Sequence, residues 1–217
     1  ALRKGQGNYV TLVTGRFRDG EIAILGVLPG HEKAVVVEYL RLIPQRILQA
    51  LQAVCCDLWE AYMEAVREEI PTARIVADRF HVARHYRDAA DQIRKTELQR
   101  LKKELPKEEY QKLNGSFRAF RKNAKDLNKE ERKTLRGFFA YSPCAKQAYD
   151  FREAFTAIYD MNLSKKQAKS KFLCWILQVE KSGLLCFDTF IRLLRRWWEE
   201  ITNFFVQREN SGFVEGF

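Results

Sequence analysis

The sequence contains no apolar run near the ~18 residues that cross a bilayer. FLCWILQV (172–179) comes nearest, and it is short and lies in an amphipathic context. Residues 1–8, ALRKGQGN, lack the hydrophobic segment of ~7–15 residues that marks a secretory leader. No membrane partner is expected. The five cysteines, Cys55, Cys56, Cys144, Cys174 and Cys186, form an odd set without a C-x-x-C pair. That speaks against a disulfide framework and a zinc ribbon, and for a reducing, cytoplasmic compartment. There is no internal repeat and no low-complexity tract. There is also no initiator Met, and the chain opens on what reads as the middle of a segment, so a fragment is expected.

What is present is a globular composition. With 217 residues, 46% hydrophobic and 12% aromatic, the chain suits one substantial domain, or a core domain carrying a large insertion. The net charge of +10 is unevenly placed. Residues 1–81 hold ten Lys+Arg against ten Asp+Glu, whereas residues 82–208 hold 28 against 16. A neutral part followed by a basic part suggests two modules, the second facing a polyanion. A solvated helical surface that favours Lys is the plain alternative.

The first eighty residues alternate in pattern. NYVTLVTGRF (8–17) and IAILGVL (22–28), joined by RDGE, read as a hairpin. EKAVVVEYLRLI (32–43) has helical spacing, AVCC (53–56) reads as a strand, LWEAYMEAVREEI (58–70) as a helix and ARIVA (73–77) as a strand. The order β-β-α-β-α-β predicts a mixed α/β layer whose later strands run parallel. After residue 80 no strand signal of similar strength appears. A charged helix is expected over 84–106 and short helical pieces to 140. Ser142-Pro143 starts a further helix, Ser164 caps another, and 184–207 reads as one long amphipathic helix.

Two apolar strands end on carboxylates, at Asp57 and Asp78. The carboxyl ends of parallel strands open into the crevice where ligands bind. Two carboxylates ~4 Å apart repel by ~4 kcal/mol at an intermediate dielectric. Converging acids of this kind are commonly reconciled by Mg²⁺, which takes hard oxygen ligands. An Asp after a strand is also a helix N-cap, and that reading stays open for both residues. Asp78 and His81 form D-x-x-H, for which a supporting role and a cap-plus-packing role are both open. His81 and His85 are four apart, but no third ligand accompanies them. Near the end, Glu215 lies in an apolar, Gly-flanked context, with Asn210 and Ser211 suited to start a helix.

YVTLV (9–13), DLWEAY (57–62), IVADRFHV (75–82) and NSGFVEGF (210–217) together resemble the DDE transposases of the ISL-three group of bacterial insertion sequences. DRFHV and the terminal N-x-G-x-x-E-G-F pattern are the most specific parts, and the resemblance spans essentially the whole chain. It implies an RNase H-like mixed sheet interrupted by a large all-helical insertion. The corresponding domains are the first part of the core at 1–81, the basic helical insertion at 82–208, and the start of the final core helix at 209–217. It also implies that Asp57 and Glu215 are catalytic and ligate the metal, Mg²⁺ or Mn²⁺, with Asp78 and His81 in support. The first Asp would lie just before ALRKG; Asp19, in a hairpin turn, does not replace it, so the fragment is expected to be inert. Two-metal phosphoryl transfer at transposon ends, followed by attack on target DNA, is the implied reaction. A homodimer in the active complex, a nucleoid-associated location and an N-terminal DNA-binding region go with it.

The basic helices supply phosphate contacts in this reading, through Arg118, Arg121, Lys122, Lys165, Lys166, Lys169, Arg192, Arg195 and Arg196. Trp175 follows the core spacing. If 184–207 is one regular helix, one of Trp197 and Trp198 must face outward, and Trp198 is the candidate to touch a base. Two other functions remain open: an RNase H-like structure-specific nuclease, and a non-catalytic DNA-binding protein derived from a transposase.

Overall fold

The computed structural model describes residues 9–17 and 19–209. Strands β1 (Val10–Arg16) and β2 (Ile22–Pro29) are followed by helices α1 (Lys33–Leu42) and α2 (Gln45–Ala50). Then come β3 (Ala53–Cys56), α3 (Glu60–Glu69) and β4 (Arg74–Ala77). Helices α4 (Arg79–Glu104), α5 (Lys107–Gln111), α6 (Ser116–Arg121), α7 (Lys129–Tyr141) and α8 (Pro143–Asp160) continue the chain. It closes with α9 (Lys165–Ser182), α10 (Asp188–Arg196) and α11 (Trp198–Gln207). The result is mixed α/β and dominated by helix. It forms two compact units, one of residues up to His81 together with those from Glu199 onward, the other Val82–Trp198.

In the first unit β1 and β2 pair antiparallel, with a bulge between Val13 and Thr14. Gly20 takes φ +91° in the turn, where the Asp19 carboxylate accepts from the Glu21 N–H. β3 and β4 pair in parallel from Ala53↔Arg74 to Cys56↔Ala77, as their apolar runs predict. Among the described residues the hairpin and the parallel pair are separate two-stranded sheets rather than one continuous layer. The helix α2, which follows Pro44, was not anticipated from the sequence.

Val36, Val37 and Leu40 of α1 and Met63, Ala65 and Val66 of α3 are buried. Each large apolar side chain so enclosed contributes about 1.5–3 kcal/mol. At the rim, Lys33 reaches Glu64 and Glu68, and Arg41 reaches Glu68 and Glu69. Exposed pairs of this kind add at most about 1 kcal/mol each. Gly26 of β2 lies under the ring of Tyr39; a Cβ there would stand 2.7 Å from its Cε2.

Helix α11 belongs with this unit from Glu199 onward, although the sequence pattern runs the basic block to 208. The Asn203 amide donates to the Ile75 carbonyl at 2.8 Å, and Arg67 pairs with Glu200 at 2.5 Å. Arg74 donates to Gln207 and pairs with Glu209.

The second unit is helical throughout its described residues, around an aromatic core. Phe155 stacks on Phe172 at 4.9 Å and meets Trp175 at 4.8 Å, Phe190 at 4.9 Å and Tyr86 at 4.8 Å. Buried Trp175 donates its indole N–H to the Phe151 carbonyl, consistent with its core spacing. Ser142 caps α8 with Pro143 at the first position, and Ser164 caps α9 in a reciprocal box with Gln167. A similar box, Asn128 with Glu131, starts α7 and was missed in the sequence. The Arg152 guanidinium is buried and donates to the Phe120 and Lys122 carbonyls.

The expected single helix over 184–207 is instead interrupted. Leu185–Phe187 is a 3-10 turn, and Trp197 leaves the helical region at φ −106°, ψ 32° while its N–H still bonds Leu193. The break cancels the premise that one tryptophan must point outward. Trp197 is buried, and Trp198, half-buried, packs edge-on to Phe172 at 6.2 Å.

Candidate active site

Asp57 directly follows β3, and its side chain does not cap α3. The N-cap position belongs to Trp59, which makes no side-chain cap, and the Trp59 N–H bonds the main-chain oxygen of Asp57. The capping alternative for Asp57 is thereby removed. The Asp57 side chain is 46% exposed at the carboxyl edge of the parallel pair, and its Oδ1 lies 3.1 Å from Nδ1 of His81.

Asp78 is built differently. It continues β4, its N–H donating to the Cys56 carbonyl, and its carboxylate is fully buried. Oδ1 accepts from the Phe80 and His81 N–H groups at 2.7 and 3.1 Å, opening α4. A carboxylate there satisfies orphan donors and lies at the positive end of the helix dipole. The capping alternative therefore accounts for Asp78. His81 is not packed beneath a sheet, as its alternative had it. Its side chain is 38% exposed and bridges the two acids, with Nδ1 3.4 Å from Asp78 and 3.1 Å from Asp57. The D-x-x-H spacing thus has a physical meaning: the Asp sets the first turn, and that turn brings the His ring to the neighbouring strand end.

The surroundings of the adjoining thiols disfavour the thiolate. Burial pushes Cys56 up to about 12, and burial with the nearby Asp78 charge raises Cys55 further, so both stay protonated at neutral pH. His85 is exposed on α4. Among the described residues, no group of three or more His, Cys, Asp or Glu is able to hold a metal ion. Glu215 lies outside the described residues.

The sequence reading overlooked an aromatic group beside Asp57. Exposed Trp59 is held by its indole N–H on the His31 carbonyl at 3.0 Å, with the His31 ring 5.2 Å away and Tyr9 4.6 Å beyond it. No spacing rule links these residues, since three separate connecting segments supply them.

The candidate DNA-contacting cations fall into two sets. Arg121 lies over the Phe117 ring and 3.9 Å from Asp91, and Lys122 pairs with Glu131 at 2.6 Å, so internal acids engage both, while Arg118 is exposed. The second set, Lys165, Lys166 and Lys169 on α9 and Arg192, Arg195 and Arg196 on α10, sits on helices that share a groove. The groove, of about 310 Å³, is lined by Leu173, Ile176, Leu177, Glu180, Arg195 and Trp198.

A family model described as Transposase, for the ISL3 group of DDE transposases, matches residues 1–217. The chain belongs to this family. Comparison with curated proteins and comparison with solved structures each gave no match. No helix among the described residues is long and apolar enough to cross a membrane.

Proposed function

We propose that the chain is the catalytic core of an insertion-sequence transposase that cleaves DNA at the element's ends and joins it to target DNA. Its core is then RNase H-like, with Val82–Trp198 as the helical insertion. One observation carries the reading: in a member of this family, Asp57 stands at the surface of a parallel strand end with His81 against its carboxylate. A carboxylate in that setting is oriented by the imidazole and reaches the protein surface at the strand end.

Asp57 offers the hard oxygen that Mg²⁺ or Mn²⁺ takes, and Glu215 is assigned as a further ligand on the strength of the family pattern. Bound divalent cations would supply charge stabilisation for the attacking and leaving oxygens of an in-line displacement. His81 orients the Asp57 carboxylate through Nδ1, as outer partners do at metal sites. Asp78 positions His81 by fixing the first turn of α4. The basic helices contact the phosphates, and the active complex is a homodimer.

The test is strand cleavage of an insertion-sequence end by the transposase in Mg²⁺. Asp57→Asn is expected to lower the rate by at least about a hundredfold, as loss of a main electrostatic group does, with unchanged circular dichroism. Cleavage by Asp57→Asn at the parental rate would overturn the assignment. Intact DNA affinity with no cleavage by the whole transposase, first Asp included, would favour the binding-protein alternative.

A further inference from the structure

Leu173 and Leu177 interrupt the pattern of α9. The buried stripe of that helix is Phe172, Trp175, Ile176 and Val179, whereas Leu173 and Leu177 are 53% and 64% exposed. They stand four residues apart, hence on one line of the helix surface. The same line continues to Lys169 at one end and Lys181 at the other, with Lys166 a turn further out. Across the groove, α10 presents Arg195, and Arg192 three residues before it. The one acid in the lining, Glu180, is paired with Arg195 at 2.7 Å. Trp198 closes the groove, its ring set against core Phe172 on one side and lining the opening on the other. An indole so anchored loses little freedom when a flat ring is laid on it.

We infer that this groove receives an unpaired nucleobase of bound DNA, between Trp198 and the Leu173–Leu177 ridge, while the surrounding cations take the adjoining phosphates. The inference rests on the DNA-binding part of the proposed function and not on the catalytic part. Charge selects the occupant. A two-fold contact between copies would set the same basic rim against itself, since an isologous interface repeats one patch on both sides. A nucleic-acid strand combines the two chemistries the groove offers: an apolar ring face for the indole and leucines, and negative charge for the lysines and arginines. Every base has such a face, so the groove reads strand opening rather than sequence.

The experiment measures equilibrium binding of the chain, without divalent metal, to three DNAs. One is a fully paired duplex, one has a single extrahelical 2-aminopurine, and one carries an abasic nucleotide at that position. The chain is expected to bind the 2-aminopurine DNA about tenfold more tightly than the abasic DNA, the order of one stacked base, with a change in the probe's fluorescence. In the uncharged double variant Leu173→Ser, Leu177→Ser, and separately in Trp198→Leu, the tenfold gap closes while affinity for the abasic DNA holds. Equal affinity of the parent for the abasic and 2-aminopurine DNAs overturns the inference. So does a gap that survives both variants, or a dimer that the double serine variant dissociates without changing base preference. Failure to bind any of the three overturns the DNA-binding reading as well, whereas the Asp57→Asn cleavage result stands apart from all of these.

Discussion

In the unit that carries Asp57, all four residues of β3 are only half-buried, and Val10, Ile24 and Val27 of the hairpin are exposed. In Val82–Trp198, by contrast, Phe155, Phe172, Phe187 and Phe190 are enclosed with Trp175 in one aromatic cluster. The first unit encloses the inner faces of α1, α3 and β4 but leaves β3 and one face of the hairpin partly open, and hydrogen bonds fix its strand ends. The second is a dense helical body whose surface carries the basic groove. The lesson is a separation of labour: packing sets the binding helices, and hydrogen bonding sets the acid edge. Substitutions that remove packing and substitutions that remove polar fixation should then behave differently in the two units.

The largest expected effect comes from Phe155→Ala, which empties the centre of the aromatic cluster and should cost about 3–5 kcal/mol by denaturant unfolding. Its counterpart Val27→Thr, on the exposed hairpin, should stay within about 0.5 kcal/mol. Equal losses would break the contrast. Next is Arg152→Met, which leaves the buried Phe120 and Lys122 carbonyls without their donor and should cost about 2–3 kcal/mol in the same measurement. Asp78→Ala removes the α4 cap and should cost about 1–2 kcal/mol, whereas Asp78→Asn, an equally good cap, should recover most of it. If Asp78→Asn also restores cleavage, the residue acts by fixing the turn rather than through its charge.

The smallest effect concerns acid. Burial alone would raise the Asp91 carboxyl, but hydrogen bonding and attraction to Arg94, with help from Arg121 and Lys95, hold it below its ordinary value of 3.8. A lowered carboxylate contributes stability that is present above the unfolded value and is lost as pH falls through the folded one. Helical signal from the second unit should therefore soften only below about pH 4. Asp91→Asn should flatten that acid step.

The sequence made the local elements legible wherever one periodicity ruled. Both hairpin strands, β3, β4 and the Ser142 and Ser164 caps follow from β-branched runs and capping chemistry. The position of Asp57 at a strand end was equally readable. That its side chain does not cap α3 was not, because Asp-Leu-Trp also fits a cap at Asp57, two residues before the N-cap at Trp59. The contact from His81 to Asp57 crosses from one strand end to the next, and no spacing within either segment encodes it. The break at Trp197 was hidden because both tryptophans and the arginines before them suit one continuous amphipathic helix. Only tertiary packing, with Trp197 enclosed and Trp198 against Phe172, favours the interruption. Leu173 and Leu177 read as ordinary helix formers until the buried stripe was known to lie elsewhere.

The bare spot at Gly26 under Tyr39 has a consequence for how the hairpin finds its partner strand. A slip of β2 by two positions would carry Ile24 or Leu28 beneath that ring, which would then have to swing aside. The first helix therefore favours one alignment of two strands it does not hydrogen-bond, the one in which a missing side chain meets a large one.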